Sequence, residues 1–61
     1  MKVKFTIGTE NIIEFAEILG DNEIDNSISG TTDDGNILVD VTYSRDERDI
    51  IAELEELAEN D

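Results

Sequence analysis

Hydrophobic residues that share one face of an extended chain occur in three parts of the sequence. Residues 2–7 alternate, with Val3, Phe5 and Ile7 apolar, which predicts a first strand with one buried face. A second run places Ile24 and Ile28 on one face, and residues 37–43 form a third, whose apolar set is Ile37, Val39, Val41 and Tyr43. The segment 30–35 ends in Asp-Gly, which favours a hairpin turn. We therefore predict three strands, with the last two joined as a hairpin.

The segment between the first two strands has helical spacing. Thr9 is a suitable N-cap, and Gly20 tolerates the positive φ that often follows a helix C-terminus. Between them, apolar residues fall at i, i+3, i+4 and i+7, which indicates one buried stripe: Ile12, Phe15, Ala16 and Leu19. We predict a first helix with this stripe against the core.

A capping box marks the start of a second helix. Ser44 and Glu47 have the spacing at which a hydroxyl and a carboxylate satisfy unpaired backbone N–H groups. An apolar stripe follows, made of Ile50, Ile51, Leu54, Leu57 and Ala58. The sequence predicts that this helix runs to about Glu59.

The element order is therefore β-α-β-β-α in a single domain, 1–61, of the α+β class. A right-handed crossover between parallel first and second strands puts both helices on one face of the sheet. If the third strand inserts between the other two, the fold is a truncated ferredoxin-like split β-α-β with a three-stranded sheet. A simple one-two-three strand order is the main alternative. In the ferredoxin-like order, the first strand keeps one unpaired edge.

Composition excludes several functional classes. The chain has 17 Asp and Glu against 4 Lys and Arg, a formal net charge of −13, and no His or Cys. Nucleophiles activated by His, and metal sites built from Cys or His, are therefore excluded. A chain with so few Lys and Arg residues is poorly suited to direct nucleic-acid binding. We expect a non-enzymatic protein without cofactors and without a membrane span. The absence of Cys favours the cytoplasm.

A calcium loop begins at Asp21 but is not completed. Oxygen ligands stand at loop positions one, three and five. The sixth position, which requires Gly, is Asn26, and the twelfth, which requires Glu, is Thr32. We therefore predict no metal site here.

The acidic residues are concentrated in two rows on the predicted helices. Residues spaced three or four apart lie on one side of a helix, so each set forms a stripe. The first row is Glu10, Glu14, Glu17 and Asp21, and the second is Asp49, Glu53 and Glu56. Neighbouring helices would hold the rows about 10 Å apart, roughly like the two phosphate strands of a duplex. We interpret the seven residues as a candidate surface for a basic nucleic-acid-binding protein.

In size, charge and placement of the acidic stripes, the chain resembles the small acidic DNA-mimic inhibitors of phages and mobile elements, of the anti-CRISPR or anti-restriction class. The resemblance rests on no diagnostic motif and assigns no site residue. It implies that the partner is a host nuclease or another defence effector.

Three alternatives stay open. The acidity could serve only solvation, because Glu is a good helix former and exposed helix faces are usually charged. Adaptation to high salt is a second explanation. The third is a small homodimeric scaffold or antitoxin-like protein, whose contact would use the strand-one edge or Leu38.

Overall fold

The sheet and both helices are seen in a computed structural model that describes residues 1–58 of the 61-residue chain. In this part of the chain, the elements follow the predicted order. They are β1 (Lys2–Ile7), α1 (Ile12–Asp21), β2 (Asp25–Thr31), β3 (Ile37–Thr42), a 3₁₀ turn (Arg45–Glu47) and α2 (Arg48–Leu57).

The three strands are arranged in the order β1-β3-β2. β3 is antiparallel to both of its neighbours, so β1 and β2 run parallel to each other and form the two edges. This confirms the α+β fold and the truncated ferredoxin-like split β-α-β. The alternative one-two-three order is wrong, because β3 lies between the strands that the crossover connects.

One hydrophobic core joins the sheet to both helices. Its fully buried side chains include Phe5 from β1, Phe15 from α1 and Leu54 from α2. The rings of Phe5 and Phe15 meet edge to face with centroids 5.3 Å apart, a geometry that contributes about 0.5–1.5 kcal/mol beyond the area it buries. Since β1 and β3 contribute odd-numbered residues to this core, both helices lie on the predicted sheet face.

The start of α1 differs from the prediction. Thr9 does not cap the helix. It lies in a turn closed by a 3.0 Å hydrogen bond from the Asn11 N–H to the Gly8 carbonyl, and Asn11 takes the N-cap position. The Asn11 side-chain amide donates to the Leu57 carbonyl at 3.3 Å. This bond to a residue 46 positions away connects the start of α1 to the end of α2. A local capping pattern in the sequence does not predict it.

The end of α1 also differs. Gly20 is helical, and Glu23 adopts the positive φ, at 53°. The Glu23 N–H donates to the Gly20 carbonyl at 3.2 Å, and the Ile24 N–H donates to the Leu19 carbonyl at 3.0 Å. These bonds form a Schellman motif, which buries the side chains of Leu19 and Ile24 together. The prediction was wrong because this burial, rather than the position of a glycine, decides where the helix ends.

Two residues predicted on the core side are exposed. Ile28 pairs with Val39, so it lies on the helix side of the sheet, yet it is 68% exposed. Ala16 on α1 is exposed as well. β2 is an edge strand, and the helices do not extend over Ile28. Ile24, which precedes β2, contributes to the core instead.

The hairpin between β2 and β3 is confirmed. Gly35 has φ 88°, and its N–H donates to the Thr32 carbonyl at 3.0 Å. The Thr32 N–H also donates to the Asn36 carbonyl at 2.9 Å. A turn that ends in a residue with positive φ is typical of a short hairpin, and Gly accepts this φ without steric cost.

The capping box before α2 is confirmed, although the predicted helix end is not. Glu47 Oε1 accepts hydrogen bonds from the Ser44 N–H at 2.9 Å and from the Ser44 hydroxyl at 3.2 Å. The box opens the 3₁₀ turn that leads directly into α2. The helix ends at Leu57, since Ala58 is extended with ψ 156°. Glu59, the predicted last residue, lies outside the described residues.

The same substitution at two isoleucines tests where the core ends. Ile7→Val should lower the free energy of unfolding by about 0.5–1.5 kcal/mol, because it removes a buried methylene. Ile28→Val should change it by less than about 0.5 kcal/mol, because that side chain is already in water. Urea denaturation of both variants measures the difference. Equal losses at the two positions would mean that Ile28 belongs to the core.

Candidate partner-binding surface

The acidic row on α1 lies on the side of the helix that faces water. Glu14, Glu17 and Asp21 belong to the helix and are exposed. Phe15 and Leu19, the buried residues of α1, occupy the opposite side. The local cause is the helical period, which separates the apolar stripe from positions three or four apart on the other side.

Glu10 does not lie on the helix. It belongs to the turn that precedes Asn11, so its predicted place in the helical row is wrong. Its side chain is exposed, as are those of the other row residues. The reason is the shift of the N-cap from Thr9 to Asn11, which shortens α1 at its start.

The row on α2 consists of Asp49, Glu53 and Glu56, all of them exposed. Ile51 and Leu54 are buried on the other side of this helix. Both rows therefore face away from the same sheet, on two helices that cover one face of it. We use the term "the acidic rows" for the seven residues Glu10, Glu14, Glu17, Asp21, Asp49, Glu53 and Glu56.

The two helices run in opposite directions. α1 returns from the end of β1 to the start of the parallel strand β2, whereas α2 returns from the end of the antiparallel strand β3. The bond from Asn11 to the Leu57 carbonyl joins the start of one helix to the end of the other. The Glu14 end of the first row therefore lies at the same end of the sheet as Glu56, and Asp21 lies at the same end as Asp49.

The acidic rows carry no compensating charge. Within residues 1–58, none of the seven side chains has an ion pair, and neither Arg45 nor Arg48 forms one. Neither helix has a basic residue in its last turn. Asp21, at the end of α1, therefore adds a negative charge to the negative end of the helix dipole. The surface keeps a negative field that works against the stability of the fold.

The open face of the sheet has a different character. A shallow depression there is lined by both lysines together with acidic and hydroxyl side chains from β2 and β3. Lys4 Nζ lies 4.0 Å from Asp40 Oδ1, and the two side chains are 60% and 44% exposed. An exposed pair of this kind contributes little to stability. The two lysines thus lie on the side opposite the acidic rows, whereas Arg45 and Arg48 lie at the start of the 3₁₀ turn and of α2.

Two isoleucines lie on the surface, in addition to the exposed Met1. Ile13 is 71% exposed and Ile28 is 68% exposed. The exposure of Ile13 could be predicted from the sequence, because Ile13 stands one residue after Ile12 and so falls outside the helical stripe. The exposure of Ile28 could not be predicted, since its place in the strand pattern is typical of a buried residue. Only the edge position of β2 leaves it uncovered.

Within residues 1–58, no polar or charged side chain is buried, and no group of three or more acidic residues is arranged to hold a metal ion. No helix in the same range is long and apolar enough to cross a membrane. Comparison with protein-family models, with curated proteins and with solved structures finds no match.

The uncompensated charge predicts how stability responds to salt. Raising sodium chloride shortens the Debye length from about 30 Å at about 0.01 M to about 10 Å at about 0.1 M. Because this screens repulsion among the 17 acidic residues, the melting temperature should rise. Differential scanning calorimetry across this range measures the response.

A double substitution provides the control for the salt response. Glu14→Gln combined with Glu53→Gln removes one charge from each row while keeping side-chain size. Its melting temperature should start higher and rise less with salt. A melting temperature that falls steadily as sodium chloride is added would show that repulsion does not limit stability.

Proposed function

We propose that this protein is a non-enzymatic DNA mimic, which inhibits a partner by occupying the basic surface where that partner binds nucleic acid. The proposal is carried by one observation: exposed carboxylates lie in rows on two neighbouring helices, with no ion pairs to them within residues 1–58. A surface built only for solvation would ordinarily mix both signs of charge. The partner we expect is a host nuclease or another defence effector.

The spacing of the carboxylates supports mimicry. Steps of three or four residues along a helix advance about 4.5–6 Å, so two parallel rows carry one charge per about 2.6 Å. A DNA duplex carries one charge per about 1.7 Å of its axis. The surface therefore has about two thirds of the charge density of a duplex, enough to compete for the same lysines and arginines.

The shape of the surface also suits this role. Packed helices lie about 8–10 Å apart, which sets the separation of the two rows. The core holds both helices on one sheet face, so the backbones that carry the charges are already in position for the partner. The backbone therefore need not be ordered on binding, which favours affinity.

The proposal has kinetic and cellular consequences. Opposite charges should steer association, so the association rate should be high at low salt and fall steeply as salt is added. A phosphate-binding partner would be recognised mainly by its charge and groove width. We also propose a cytoplasmic location, which the absence of Cys supports.

Charge reversal in the rows tests the proposal. Glu14, Glu17, Glu53 and Glu56 are each replaced by Lys, which changes the net charge from −13 to −5 because each replacement adds two charges. Immobilised wild-type protein and the variant are incubated with lysate from a candidate host and washed at low and then at high salt. We expect the wild type to retain a nucleic-acid-binding protein at low salt only, and the variant to lose it.

A matched variant separates the rows from net charge. Glu23, Asp33, Asp34 and Asp46 are exposed, lie outside the rows, and give the same net charge when replaced by Lys. This control should retain the partner largely intact. Equal loss in both variants would show that total charge alone governs capture. Undiminished capture by the row variant would refute the proposal.

A further inference from the structure

The outer edge of β2 is an unpaired strand edge, because within residues 1–58 no strand pairs with that side. Lysines on an edge strand discourage pairing with other chains, and the two lysines of the chain, Lys2 and Lys4, both lie on β1. β2 has the sequence Asp-Asn-Ser-Ile-Ser-Gly-Thr and contains none. Its irregularity between Ile28 and Gly30 leaves the first half of the strand regular.

The hydrogen-bond register shows which backbone groups of the sheet point outward. Met1 and Tyr43 exchange both of their backbone hydrogen bonds, each 2.8 Å long. In an antiparallel pair such bonded pairs alternate with non-bonded ones. Odd-numbered residues of β3 are therefore bonded to β1, and its even-numbered residues, Asp40 and Thr42, are directed at β2.

The same alternation continues across β2. Thr42 stands opposite Asp25, and Asp40 stands opposite Ser27. The backbone groups of Asp25 and Ser27 therefore bond to β3, whereas the N–H and C=O groups of Asn26 and Ile28 point away from the sheet. Two residues thus offer four backbone groups to an added strand.

Exposed apolar side chains occur on the helix side of this edge, on β2 itself and on α1. Ile28 is 68% exposed and Ile13 is 71% exposed. Ala16, on the same helix as Ile13, is exposed as well. A right-handed crossover turns the Ile13 and Ala16 flank of α1 toward β2 and the Ile18 flank toward α2. The burial agrees, since Ile18 is half-buried against the core.

Acidic side chains surround the start of the same strand. Asp21, Glu23 and Asp25 are exposed and lie within five residues of one another. Asp25 and Ser27 face the open side of the sheet, as do their partners Thr42 and Asp40. A strand laid along this edge would thus meet the apolar Ile28 on one face of the sheet, and Asp25 together with hydroxyl side chains on the other.

We infer that the β2 edge binds an extended segment of a partner protein in which apolar residues alternate with Lys or Arg. Such strand addition draws affinity from the main chain and specificity from alternate side chains. A second copy of this chain is a poor occupant, because two chains that each carry a net charge of −13 repel each other. The backbone groups of the β2 edge lie outside the acidic rows, which share only Asp21 with its surroundings, and the inference does not depend on the function proposed for the rows.

A short peptide tests the inference on the intact protein. The probe alternates Lys and Val over 7 residues, the length of β2. It should shift the NMR signals of residues 25–31 and slow amide exchange at Asn26 and Ile28 by about tenfold or more. A second peptide with the same sequence is methylated on the valine nitrogens. It keeps the charge but cannot donate to the edge, so it should bind about tenfold more weakly or worse.

Matched variants locate the binding site. Ile28→Lys places a lysine on the edge at an exposed position and should reduce affinity for the unmethylated peptide by about tenfold. Ala52→Lys makes the same charge change on the outer side of α2 and should leave affinity within about twofold.

Three results would overturn the inference. The first is equal binding of the methylated peptide, which would mean that charge attraction alone accounts for the binding. The second is a set of NMR shifts confined to α1 and α2, which would assign the peptide to the acidic rows. The third is self-association of the free protein through residues 25–31, which would make a second copy the occupant.

Discussion

The sheet has only one apolar face, and the rest of the structure depends on this constraint. Phe5, Val39 and Val41 project from that face, and the edge-to-face contact between Phe5 and Phe15 lies within the core. A domain of this size has little surface to bury, so both helices must cover the same face. Their outer sides then point in one direction.

This arrangement turns a compositional excess into a directed surface. A net charge of −13 could be spread evenly or held in a tail. Part of the charge is ordered instead, because six of the 17 acidic residues lie in rows on the outer sides of two antiparallel helices, while both lysines lie on β1. The repulsion opposes folding, and the single core must offset it. We propose that this cost is retained because the field recognises a basic partner.

The sequence predicts the elements whose causes are local. The box at Ser44 and Glu47 and the turn at Gly35 formed as expected, because each needs only neighbouring residues. Positions decided by tertiary packing were not predictable: the Asn11 amide contacts a distant carbonyl, and Glu23 accepts a positive φ so that Ile24 can be buried. Of the acidic rows, all but Glu10 lie on the predicted helices, since helical periodicity determines which side they face. Their binding role stays a prediction.

The central claim is that a partner binds this protein and nucleic acid at one surface. It is tested most directly by equilibrium competition, in which a captured partner holds a labelled DNA duplex and unlabelled protein is added. We predict full displacement, with an apparent affinity that weakens in proportion to the duplex concentration and falls steeply with salt. A ternary complex of partner, duplex and protein, formed without loss of affinity for either, would contradict the claim.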